Sequence, residues 1–141
     1  MIKKKKNKVL IFGTFDGIHK GHLSLFRQAK KYGDHLTVVV ARDKTVMKTK
    51  DRLPLQNEKE RARKIKEYKI ADEIKLGCKG NPYRLIQEIK PKAICLGYDQ
   101  KFFTRNLEKK LKNMGLETKV YRMKPFRPEK YHSSIIRKII C

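Results

Sequence analysis

Val9-Leu10-Ile11-Phe12-Gly13-Thr14-Phe15-Asp16-Gly17-Ile18-His19-Lys20-Gly21-His22 is the stretch on which the fold turns. Four apolar residues, two of them β-branched, run into a glycine. That is the pattern of a buried strand stopped by a turn. The ten residues from Gly13 to His22 then hold three glycines, two histidines and an aspartate. Gly13 and Gly17 allow close backbone approach to a ligand or a positive φ, and Gly21 leaves space where a helix begins. The backbone amides of such a helix start make a natural phosphate site. His19 and His22, three residues apart, share a face of a helical turn.

Working outward, further apolar runs follow at 36–41, 73–76, 93–96 and 118–121; the runs at 73–76 and 93–96 end at Gly77 and Gly97. Helix-like segments separate them. Residues 22–32 space Leu23, Leu25, Phe26 and Ala29 roughly helically, and residues 57–69 open on an Asn57 cap with Ala62, Ile65 and Tyr68 on one face. Residues 83–90 place Leu85, Ile86 and Ile89 before Pro91, and residues 104–113 place Leu107 and Leu111 before Gly115. A short terminal helix is expected at 133–140. The alternation predicts an α/β fold: a Rossmann-like, parallel, five-stranded sheet with helices on both faces. A single domain over residues 1–141 is expected, with a basic extension at 1–7. Ligands on such sheets bind beyond the carboxyl ends of the strands, where the strand order reverses. The loops after the first and fourth strands are therefore expected to share one site.

Gly13-Thr14-Phe15-Asp16 alone would be an ordinary strand–helix turn. The two histidines with Asp16 could bind a metal, but zinc needs three or four ligands and no other His or Cys is placed to join them. Glycines, a helix start and paired imidazoles together point instead to nucleotide chemistry. The combined pattern G-T-F-D-x-x-H-x-G-H resembles the signature of the HxGH, or cytidylyltransferase-like, nucleotidyltransferase superfamily, and the similarity extends from Val9 to about residue 139. The resemblance implies transfer of a nucleoside monophosphate from a nucleoside triphosphate, ATP or CTP, to a phosphate-bearing acceptor, with release of pyrophosphate. It implies His19, His22 and Arg127 as catalytic. It implies nucleotide contacts from Gly13, Thr14, Phe15, Asp16, Gly21 and His22, from Gly97 and Asp99 after the fourth strand, and from Ser133 and Ser134. The last two belong to His132-Ser133-Ser134-Ile135-Ile136-Arg137, which departs from the family pattern at His132 and Ile135. Lys44, Arg52 and Arg61 are candidate phosphate ligands. Mg²⁺ would bridge phosphate oxygens, held mainly by the substrate rather than by protein side chains.

The F-D-G-x-H-x-G-H form resembles that of FAD synthases, and the short chain resembles the archaeal-type single-domain members. That implies FMN as acceptor and ATP as donor. The runner-up is cytidylyl transfer to a polyol phosphate such as glycerol 3-phosphate, whose enzymes typically carry an Asp pair and a Trp after the fourth-strand glycine; here the residues are Tyr98, Asp99 and Gln100, and the chain has no Trp. Relatives in the superfamily are often homodimers.

The charge adds a reading of another class. The formal net charge is +23, from 37 Lys and Arg against 14 Asp and Glu. Such a surplus attracts polyanions, and nonspecific nucleic-acid binding at low salt is expected. A non-catalytic basic nucleic-acid-binding module would explain the charge alone. No RNP-like, helix-turn-helix or zinc-knuckle motif supports it, and a pure binder has no use for both histidines. Three cysteines, Cys78, Cys95 and Cys141, are widely spaced and predict neither a disulfide framework nor a zinc site. Cys95, in an apolar run, is expected to be a small buried hydrophobe. No apolar stretch is long enough to span a membrane, no signal peptide is legible, and the expected compartment is the cytoplasm.

Overall fold

In the computed structural model, which describes residues 7–50, 52–77, 82–97 and 107–124, all five apolar runs form strands. They are β1 (Lys8–Gly13), β2 (His35–Val40), β3 (Glu73–Leu76), β4 (Ala93–Leu96) and β5 (Lys119–Arg122). The helices are α1 (Lys20–Lys30), α2 (Asp43–Lys50), α3 (Glu58–Glu67), α4 (Pro82–Ile89) and α5 (Leu107–Asn113). The sheet order is β3-β2-β1-β4-β5, and every pairing is parallel. The chain runs outward from β1 through β2 to β3, then returns to β4 on the other side of β1. The order therefore reverses between β1 and β4, which pair directly with Ile11 opposite Cys95. Two residues beyond that pair come Gly13 and Gly97, so both glycine-ended loops leave the same edge of the sheet at the same level.

Alternation along the strands divides the core in two. Val9 and Ile11 of β1, with Leu36, Val38 and Val40 of β2, pack against Phe26 and Ala29 of α1 and Ile65 of α3. Leu10 and Phe12 of β1, with Val39, Ile94 and Leu96, pack against Leu85 and Ile86 of α4 and Leu107 and Leu111 of α5. Helices thus cover both faces, and β1 and β4 are buried on both sides, as continuous apolar runs in a parallel sheet require. Among the described residues, no helix is long and apolar enough to cross a membrane.

Helix α2 was not foreseen. Its sequence, DKTVMKTK, carries β-branched residues and a single buried apolar side chain, Val46, so it shows no helical period. The strand–strand crossover from β2 to β3 therefore contains two helices rather than one. Helix α1 starts two residues earlier than the apolar spacing suggests, because its cap is His19. The expected helix at 133–140 and the first residues of the expected helix at 104–113 lie outside the described residues.

At the β5 edge, two side chains meet the backbone. Glu108 Oε1 accepts from Val120 N at 3.2 Å. The Gln28 carboxamide pairs with Lys124 as a second peptide group would: Lys124 N donates to Oε1 at 2.9 Å, and Nε2 donates to Lys124 O at 3.1 Å.

Cys95 is a free, buried cysteine on β4, as expected. Burial pushes its thiol up to about 12, since desolvation disfavours the thiolate. The folded protein then holds this proton where the unfolded chain releases it. The stability this contributes is complete below the ordinary thiol range and is lost as pH rises toward about 12. With Cys78 and Cys141 changed to serine, Cys95 should resist iodoacetamide at pH 8 in the native state and react readily in denaturant; equal rates in the two states would contradict its burial.

Candidate active site

The loop from Gly13 to His22 is built from the inside out. Phe15 has φ 54°, and its ring is only 4% exposed. A non-glycine residue in the left-handed region is strained by about 1 kcal/mol or more, and here burial of the ring offsets the strain. The Phe15 ring meets Phe26 edge-on at 5.3 Å and His22 edge-on at 5.4 Å between centroids. Gly13 is glycine because a Cβ there would lie 2.6 Å from Phe15 Cζ. Gly17, at φ 81°, supplies the second left-handed turn.

His19 then caps α1, and it does so jointly with His22. Gly21 N donates to His19 Nδ1 at 3.0 Å, and His19 N donates to His22 Nδ1 at 3.3 Å. This is a reciprocal capping box in which two imidazoles replace the usual hydroxyl and carboxylate. The rings stack, with centroids 3.9 Å apart and planes 28° from parallel. A neutral imidazole has one donor and one acceptor nitrogen, and the hydrogen bond at one decides the proton on the other. With both Nδ1 atoms accepting, both protons belong on Nε2. The cap thus makes two N–H donors of known identity at the positive end of a helix.

Asp16 ties the loop to a second segment. Its carboxylate accepts from Leu55 N at 2.8 Å and Gln56 N at 3.1 Å, pinning the segment before α3 to the β1 loop. Behind it lies Arg61, at 0% exposure. Nε donates to Gln56 O at 3.0 Å, one terminal nitrogen to Thr14 O at 2.7 Å, and the other to Asp43 Oδ1 at 2.7 Å. Asp43 N donates to Glu58, whose carboxylate also takes Arg42; Arg42 Nε reaches Gly77 O at 2.6 Å.

Arg61 therefore corrects the expectation of a phosphate ligand. Its guanidinium is fully desolvated, and its three nitrogens are committed to three chain segments. Phe15 presents no ring face to a base, because the ring fills the core; any contact it makes with a nucleotide is through its backbone. Thr14, Gly13 and Gly21 lie in the same loop as the histidines, and Gly97 lies at the same sheet edge, its carbonyl accepting from Arg122 at 2.8 Å. Lys44 and Arg52 are exposed. Asp99, Arg127, Ser133 and Ser134 lie outside the described residues. Sequence reasoning missed Arg42, Asp43 and Glu58; no local signal separates them from the other charged residues of this chain.

The Cytidylyltransferase-like family model matches residues 10–139. A protein named FAD synthase from Thermoplasma volcanium is 38% identical over 133 residues, covering 94% of this chain and 93% of its own length. FAD synthases from Methanothermus fervidus and Archaeoglobus profundus are each 42% identical, covering 90% and 94% of this chain and 90% and 86% of their own. Among solved structures, the lipopolysaccharide core biosynthesis protein from Thermoplasma volcanium superposes with a TM-score of 0.81 at 37% identity, covering 86% of this chain and 99% of that one. A pantoate-beta-alanine ligase from Francisella tularensis, at TM-score 0.60 and 16% identity, shares the fold.

Two measurements test this geometry. Arg61→Met should destabilise the protein by about 3–5 kcal/mol in urea unfolding, because Asp43 and two carbonyls lose their partner. Arg61→Lys should recover only part of that, since one ammonium cannot reproduce the fork. Long-range ¹H–¹⁵N spectra at neutral pH should show His19 and His22 as Nε2–H tautomers; a protonated Nδ1 on either ring would break the capping box described above.

Proposed function

Because the chain belongs to the cytidylyltransferase-like family, we propose that it is an FAD synthase, transferring AMP from ATP to FMN with release of pyrophosphate. The observation that carries the reading is the His19–His22 cap: two Nε2 donors fixed by backbone hydrogen bonds at a helix N-terminus, at the sheet's switch point. The choice of donor and acceptor is supported by relatives of that name, similar over nearly the whole chain.

In this reading, an FMN phosphate oxygen attacks the α-phosphorus of ATP in line. A bond forms between them as the bond from the α-phosphorus to the bridging oxygen breaks, and pyrophosphate leaves. The attacking oxygen is already ionised at neutral pH, so no protein base is required. The protein's task is alignment and stabilisation of charge. His19 and His22 donate from Nε2 to phosphate oxygens, while backbone groups of Gly13, Thr14, Phe15 and Gly21 line the loop. Asp16 acts indirectly, holding the segment at 55–56 against that loop. Lys44 and Arg52, both exposed, are proposed to neutralise the leaving pyrophosphate. Arg127, Ser133 and Ser134 are proposed to hold the triphosphate, and Gly97 and Asp99 the nucleoside.

Magnesium enters as MgATP. A hard cation prefers oxygen ligands, and the triphosphate brings them.

Purified protein should release pyrophosphate with MgATP and FMN, and not with CTP and glycerol 3-phosphate; the reverse pattern would overturn the substrate assignment. His19→Asn keeps a side-chain acceptor at the N-cap but removes the Nε2 donor. It should retain the melting temperature and lower kcat by about 10²–10³-fold. Undiminished turnover in that variant would remove His19 from the reaction.

A further inference from the structure

We propose that Leu53 and Leu55, with Met47 of α2, form the seat for the flat ring of the flavin acceptor; this rests on the reading of the chain as an FAD synthase. Among the described residues, Leu53 is 63% exposed, Leu55 52% and Met47 45%, half of the large apolar side chains left in water. They fall within nine residues of a chain that is 36% charged. Exposed apolar side chains gathered in so short a stretch beside the candidate site suit a surface that takes an apolar ligand.

Its placement identifies the occupant. Asp16, three residues before His19, grips Leu55 N and Gln56 N. Arg61 grips Gln56 O, Thr14 O and Asp43, and Met47 stands one helical turn beyond Asp43. Leu55 is therefore tied directly to the loop that carries the two histidines, with Leu53 two residues before it and Met47 on the helix whose first residue Arg61 holds to the same loop. Pro54 between the leucines restricts the backbone there. An acceptor for this reaction presents a phosphate to the histidines and must lay its remainder on whatever adjoins them. FMN has a planar, largely apolar tricycle as that remainder. A polyol phosphate has hydroxyls only and gains nothing from exposed leucines.

The test uses the full chain with MgATP, FMN and lumiflavin, the last being the ring without the ribityl phosphate. In the wild type, lumiflavin should inhibit competitively against FMN. The double variant Leu53→Ser/Leu55→Ser, altered only at exposed positions, should melt as the wild type does. Its KM for FMN should rise roughly tenfold or more with an unchanged KM for MgATP, and lumiflavin inhibition should disappear. Met47→Gln should show the same effect to a smaller degree and serves as the second probe. If the wild type makes FAD and the variants keep its FMN KM and lumiflavin inhibition, the seat is overturned and the reaction stands. A parallel rise in the KM for MgATP would also overturn it, marking a disturbed loop. A wild type that makes no FAD and does not quench flavin fluorescence overturns both.

Discussion

The buried guanidinium of Arg61 is the constraint on which the site depends. A charge withdrawn from water is tolerated only when each of its nitrogens finds an acceptor and an opposite charge stands close. Arg61 meets that demand with one oxygen from each of three segments: the loop after β1, the first residue of α2, and the chain entering α3. Three loops that could each move on a sheet edge become one body. Asp16 adds a second tie between two of them, and the Arg42–Glu58 pair extends the assembly to Gly77 at the end of β3. In a chain of net charge +23, a cation turned inward also keeps Asp43 beside the site without adding to the repulsion outside.

On that support, one set of hydrogen bonds serves the fold and, in the proposed reaction, the chemistry. Helix α1 needs partners for its first amides. Imidazoles supply them at Nδ1, and by doing so turn their other nitrogens into donors. Phe15 keeps the arrangement in register, its strained backbone held by a ring wedged between Gly13, His22 and Phe26. Orientation of the two histidines is thus set by local structure alone, which is what electrostatic catalysis would require of them as donors in the proposed reaction.

The inner strands β1, β2 and β4 were legible because parallel strands buried on both faces read as unbroken apolar runs, while the partly exposed edge strands β3 and β5 showed only a weaker apolar alternation; Gly13, Gly77 and Gly97 mark strand ends. The loop was legible because glycine and histidine at those spacings have few other uses. Helix α2 was not, since one buried valine makes no period. Arg61 was misread for a related reason: among 37 Lys and Arg residues, sequence does not distinguish the one that turns inward. Phe15 shows the same limit, since an aromatic in a nucleotide loop reads alike whether it stacks on a base or fills the core. The reciprocal cap was hidden because imidazoles are not its usual partners.

The two side chains that meet β5 bear on how this protein associates with itself. An edge strand normally presents a row of outward amides on which another chain can continue the sheet. Met123 N turns toward β4, bonding to Leu96 O, so residues 120, 122 and 124 look outward. Glu108 has taken the amide of Val120, and Gln28 both polar groups of Lys124. A sixth strand pairing along residues 120–124 would have to displace a carboxylate at Val120 and a carboxamide at Lys124. Growth of the sheet into an extended ribbon is thereby hindered along this edge at residues 120 and 124.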